Sequence, residues 1–190
     1  MITQRTAIVI AGLGIALAGV AVLLGRDAVT VGVRQALPPP AVWTEVKWPF
    51  PLDQWGTGKA FQCRAADCGT EINVYLRAKL GFCNCATGVS DDDELDRVGD
   101  LELYSDKFKG LSEGRFITVG WMKGRSRPYQ VEMRHGASRT ALAIAFNDKC
   151  DVVVATVAAE RAQLAAADRA ALDFLNSDRV LRWAETELGL

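Results

Sequence analysis

Thr140 to Val157 reads TALAIAFNDKCDVVVATV, two apolar runs divided by Asn147-Asp148-Lys149. Thr140–Asn147 (TALAIAFN) and Asp151–Val157 (DVVVATV) are rich in valine and small residues and bounded by turn formers, so each reads as a strand. Together they form a hairpin about that turn.

Moving outward, Ile72, Val74, Leu76, Ala78 and Leu80 alternate with Asn73, Tyr75, Arg77 and Lys79. A period of two predicts a strand with one buried face and one polar face. Arg115–Lys123 (RFITVGWMK) and Tyr129–Arg134 read as further strands, and Lys59–Arg64 with the residues from Thr70 onward as a hairpin. Beyond Val157 the pattern changes. Ala158–Asn176 is rich in alanine, leucine, arginine and glutamine, all good helix formers. Ser177 stands where it can cap a last helix from Asp178, with Val180, Leu181, Ala184 and Leu188 on one stripe. Asp91–Val98 reads as a short helix after Ser90, its acids suiting the first turn. The predicted class is α+β: a mainly antiparallel sheet with helices on one face, including the C-terminal helix.

The start of the chain is different. Ala7–Gly25, AIVIAGLGIALAGVAVLLG, holds no charge and is bracketed by Arg5 and Arg26. As a helix it would reach about 28 Å, close to the hydrocarbon thickness of a bilayer. The expectation is a single N-terminal transmembrane helix that contacts the lipid bilayer through residues 7–25. A cleaved signal is the alternative, but no A-x-A pattern follows the run. A dinucleotide-binding turn is disfavoured, because no second strand ending in an acid follows. Pro38-Pro39-Pro40 reads as a stiff spacer. The expected organisation is therefore an anchor or signal over 1–27, a Pro-rich linker over 28–40 and a soluble domain over 41–190. That implies the cytoplasmic (inner) membrane, with the soluble domain on the periplasmic side.

The whole chain of 190 residues has 22 basic and 23 acidic side chains, which argues against nucleic acid as a partner. Its 49% hydrophobic content excludes a disordered chain. Much of that excess belongs to Ala7–Gly25. From Ala41 onward 19 bases face 22 acids, and they are unevenly placed. Eight acids and one base lie between Asp91 and Asp106; six bases and one acid lie between Arg115 and Arg139. Such charges either pair with one another on solvated faces or form a docking patch for a partner of opposite charge. The docking candidates are Asp91, Asp92, Asp93 and Glu94 on the acidic side. On the basic side they are Arg115, Lys123, Arg125, Arg127, Arg134 and Arg139.

Cys63, Cys68, Cys83, Cys85 and Cys150 all follow the apolar run, and outside the cytoplasm they are disulfide candidates, with one left over. Cys63 and Cys68 would face each other at the mouth of the Lys59–Arg64 hairpin. Cys150 could join Cys83 or Cys85, whereas a bridge between Cys83 and Cys85 would be strained. The competing reading is a thiolate set for Zn²⁺ or Cu⁺, but the spacing lacks the tight C-x2-C pairs of zinc sites. No cofactor is expected.

Catalytic patterns are thin. Gly110-Leu111-Ser112-Glu113-Gly114 matches a nucleophile elbow, yet a strand follows the serine where that fold needs a helix. His135 is the only histidine. Asp91-Asp92-Asp93 departs from a calcium loop, with Leu95 at the fifth position.

The order of a Trp/Gly-rich opening (Trp48, Trp55, Gly56, Gly58), an acidic mid-chain helix, the strand pair ALAIAFNDKCDVVVATVA and a closing helix ending RWAETELGL is similar to the PsbP-like family. Those proteins are extrinsic subunits of photosynthetic oxygen evolution and their bacterial relatives. The resemblance covers Trp48–Leu190 and implies a non-catalytic helper docked on a membrane complex; it transfers no site residue. The sequence thus predicts a membrane-anchored extracytoplasmic accessory protein that binds an integral membrane protein or complex and is not an enzyme. The alternative is a cysteine-based metal-binding or thiol-redox protein of the cell envelope.

Overall fold

The computed structural model describes residues 41–133 and 136–190. Its strands are β1 (Trp43–Val46), β2 (Lys59–Cys63), β3 (Ile72–Lys79), β4 (Phe108–Gly110), β5 (Arg115–Val119), β6 (Met122–Glu132), β7 (Ser138–Asp148) and β8 (Asp151–Ala159). The helices are α1 (Ala65–Cys68), α2 (Asp92–Val98), α3 (Leu164–Leu175) and α4 (Asp178–Leu188). The strands form one sheet in the order β1-β2-β3-β8-β7-β6-β4, with β5 also pairing β6. Every pairing is antiparallel.

The β7–β8 hairpin is the centre of this sheet. Its closing pair is Asp148↔Asp151, and Lys149 takes the left-handed turn conformation at φ 51°. All residues from Thr140 to Phe146 are buried, so both faces of β7 are covered. Leu142, Ile144 and Phe146 enter one core, which α3 closes with Ala167, Ala171, Phe174 and Leu175 and α4 with Val180, Ala184 and Leu188. Ala141, Ala143 and Ala145 enter a second core with Leu95, Val98 and Leu101. The large side chains thus face the two long helices, and the alanines let α2 and the 3-10 turn Leu101–Leu103 approach closely. Each fully buried valine, leucine or isoleucine contributes about 1.5–3 kcal/mol of transfer free energy, and both cores draw on it.

Several expectations are corrected. The molecule is a mainly antiparallel eight-stranded sheet with helices on both faces, not one, because central strands apolar on both sides must be covered twice. The expected transmembrane helix has no counterpart among the described residues. No helix among the described residues is long and apolar enough to cross a membrane, and the run 7–25 lies outside them. Arg115–Lys123 is not one strand. Gly120, at φ 58°, and Trp121 turn the chain, and β6 then runs from Met122 past Tyr129 without a break. Gly124 is required there, since a Cβ would lie 2.0 Å from the Ala145 carbonyl oxygen. The helix expected from Ala158 starts at Leu164, because Ala158 and Ala159 finish β8. The helix expected over Asp91–Val98 starts at Asp92, because Asp91 caps it by accepting from the Glu94 N–H at 2.8 Å. Ser177 occupies the N-cap position of α4, but its hydroxyl makes no capping hydrogen bond.

Candidate functional site

Four of the five cysteines are oxidised. Cys63, at the end of β2, bridges Cys68 across one turn of α1, with Cα atoms 6.0 Å apart. The pairing matches the expectation but its geometry does not: Cys63 faces Ile72 across the hairpin, and α1 carries Cys68 back to it. Cys85 bridges Cys150, with Cα atoms 4.2 Å apart. Cys83 stays a thiol, buried and directed at the Lys149 carbonyl oxygen at 3.2 Å. Burial pushes that thiol up to about 11, and the Glu94 and Asp151 carboxylates add to the shift. With four sulfurs paired, no thiolate tetrad exists for a metal. Two disulfides are the mark of a secreted or periplasmic domain.

The acidic and basic stretches meet. Asp92 accepts from Arg125 Nε and from the Gly114 N–H, and lies 3.4 Å from Arg127 Nε. Arg127 also reaches Asp96 at 3.2 Å, and the buried Tyr129 hydroxyl donates to Asp96. Burial works against the Asp92 carboxylate, but the bonds from Arg125 and Gly114 outweigh it and hold its pKa low. Glu94 is held low by Arg97 and accepts from the Asn84 N–H at 2.8 Å. Arg115 pairs with Asp168 at 2.5 Å. Lys123 and Asp93 are exposed and make no ion pair among the described residues, and Arg139 is exposed at the start of β7. Arg134 and His135 lie outside the described residues. The Gly110–Gly114 loop joins β4 to β5. Its Ser112 hydroxyl donates only to the Glu113 carbonyl, and its Ser112 carbonyl accepts from Arg127 at 2.9 Å.

The cluster the sequence concealed lies on β3. Arg77 and Lys79, expected on a polar face, are each 3% exposed, whereas Leu80 is 60% exposed. Arg77 Nε and Nη2 bind the two Asp100 oxygens at 2.8 Å each, and Nη1 binds Asp53 at 2.7 Å. Lys79 Nζ donates to the Val98 carbonyl at 2.7 Å and lies 2.7 Å from Asp100. Trp55 and Phe82 cover Lys79 at 5.4 and 5.2 Å, and Trp48 covers Arg77 at 5.8 Å. Two cations meet two anions at ion-pair distance. This is a clamp that holds the Trp48–Trp55 segment and the turn at Asp100 on the sheet. The Trp-rich opening was the available signal, since aromatic faces shelter cations.

What remains open is the β5–β6 hairpin. Phe116 is 71% exposed and Trp121 49% exposed, with Arg125 above the Phe116 ring at 5.1 Å. By antiparallel alternation from the Val119↔Met122 closing pair, Phe116 carries its backbone N–H and carbonyl away from β6. On that side no further strand pairs β5 among the described residues.

No family model and no curated protein matches this chain. Among solved structures, PA94, a protein of unknown function from Pseudomonas aeruginosa, is similar at a TM-score of 0.43 and 15% identity. The match covers 71% of this chain and 94% of PA94.

Proposed function

We propose that this chain is an extracytoplasmic accessory protein, without catalysis of its own, that docks on a partner protein through the β5–β6 hairpin. The address is the periplasmic side of the cytoplasmic membrane, and the partner is an integral membrane protein or complex there. One observation carries the reading: Phe116–Met122 is an uncharged edge segment that presents a largely exposed phenylalanine and a half-exposed tryptophan. Edge strands are templates for added strands and are normally blunted by charge. β4 is blunted by Lys107 and Lys109, and β1 by Glu45 and Lys47; β5 between Arg115 and Lys123 is not. Tryptophan and arginine are frequent anchors of interfaces, and Lys123 is free to meet an acid. The fitting partner is therefore an extended segment with apolar side chains and a carboxylate, added along β5. The PsbP-like likeness in element order implies the same kind of helper role.

Photocrosslinking amino acids placed at positions 116, 118 and 121 in cells test this directly. One common adduct from all three, absent at position 52 and lost with Lys123→Glu, is the expected result. Labelling at Leu52 equal to that at the hairpin, or no discrete adduct from the hairpin, would remove the proposal.

A further inference from the structure

The leftover cysteine stands against a disulfide. Cys83 donates its backbone N–H to the Cys150 carbonyl at 3.0 Å. One such bond keeps the two Cα atoms within roughly 7 Å of each other, at the limit of what a disulfide spans. Cys150 is thus bridged to one cysteine of a short segment and hydrogen-bonded through its backbone to the other. That segment is held in place, since Glu94 accepts from the Asn84 N–H at 2.8 Å and Arg97 donates to the Phe82 carbonyl at 3.0 Å. The two cysteines differ in one respect: Cys83 is 6% exposed, whereas Cys85 lies at the surface.

We propose that Cys83, Cys85 and Cys150 form an internal thiol–disulfide switch that moves the free thiol from the core to the surface. The Cys83 thiolate attacks Cys150 Sγ, the Cys83–Cys150 bond forms, and the Cys85–Cys150 bond breaks. Cys85 leaves as a thiolate and takes up the proton that Cys83 released. One disulfide and one thiol stand on each side of the step, so no oxidant or reductant is consumed. The resting isomer hides its thiol. The exchanged isomer presents Cys85 to a partner's thiol or disulfide, an activity separate from docking through β5.

The charged groups facing Cys83 are Glu94 and Arg97 from α2 and Asp151 from β8. Burial and the two carboxylates outweigh the arginine, so little thiolate exists at neutral pH and exchange is slow. Below the thiol's pKa its rate rises about tenfold per pH unit.

The test incubates the folded, oxidised protein with iodoacetamide at pH 7, 8 and 9, quenches in acid, digests with pepsin without reduction and maps labels by fragment ions. The expected product carries the label on Cys85 and a Cys83–Cys150 bond, forming faster at each higher pH. Label on Cys83 alone overturns the switch. So does an intact Cys85–Cys150 bond at pH 9 after the urea-unfolded protein has been fully labelled. A second arm uses Cys85→Ser. Folded protein with no free thiol after denaturation supports the switch; two free thiols, on Cys83 and Cys150, overturn it.

Discussion

Arg77 and Asp100 show what a single buried pair can hold. Both are almost fully enclosed, and Lys79 shares the same carboxylate. Burial alone would weaken the guanidinium charge, yet the bonds it donates to Asp100 and Asp53 keep Arg77 above its ordinary range. Asp100→Asn removes the anion and leaves two buried cations facing one half-exposed carboxylate, Asp53. Breaking a buried pair in this way costs about 3–5 kcal/mol, which urea unfolding would read as a large fall in midpoint. Arg77→Met is expected to cost less, because Asp100 keeps Lys79 and the methionine refills the space beside Trp48. Equal midpoints for Asp100→Asn and the parent would mean that the cluster is solvated and clamps nothing. The proton on Cys83 belongs to this scale too: the same α2 that supplies Val98 to Lys79 supplies Glu94 to the thiol.

Elements are joined by two bridges of unequal reach. Cys63–Cys68 spans five residues in sequence and Cys85–Cys150 spans 65. By loop-closure entropy the short loop contributes about 2 kcal/mol and the long one about 4 kcal/mol. Cys150→Ser is therefore expected to destabilise more than Cys68→Ser, measured by denaturant unfolding without reductant; the reverse order would place the main constraint at α1. How far the elements were legible follows from what each one touches. The β7–β8 hairpin, α2 and α4 announced themselves because their local pattern matches their surroundings: TALAIAF alternates large and small residues toward two cores. Arg77 and Lys79 did not, because alternation records which side chains share a face and not what covers that face. Their cover, Asp53, Trp55 and Asp100, is up to 24 residues away in sequence. The turn at Gly120-Trp121 was hidden inside a run apolar enough to pass for one strand. Phe116 lies in that same run, and the end of the sheet at β5 leaves it exposed.

At the scale of the molecule, the pairing of opposite charges that the sequence allowed is found as a set of ties between elements. Glu45 on β1 binds Lys59 on β2 and Arg179 on α4; Asp53 binds Arg77 on β3; Asp92 on α2 binds Arg125 on β6. Lys59 and Arg179 hold Glu45 low. Hydrogen bonds from Arg77 and the Trp55 N–H hold Asp53 low against its burial. Asp92 and Glu94 are likewise depressed. A carboxyl with a lower pKa in the folded state binds protons more readily when unfolded, so stability rises with pH through that interval. The contribution is fully present above the ordinary carboxylate range near pH 4 and disappears as pH falls through the folded values. Stability should therefore be level from about pH 6 to 8 and drop steeply below about pH 4. Arg125, Arg127 and Gly114 converge on Asp92, so Asp92→Asn should flatten that drop, its curve meeting the parent's at low pH. Urea midpoints of both proteins between pH 2.5 and 7 measure this, with the Gly114 amide resonance as a local reporter of the Asp92 tie. Parallel curves for the two proteins would show that acid acts elsewhere and that the α2–β6 ion pairs contribute no pH-dependent stability.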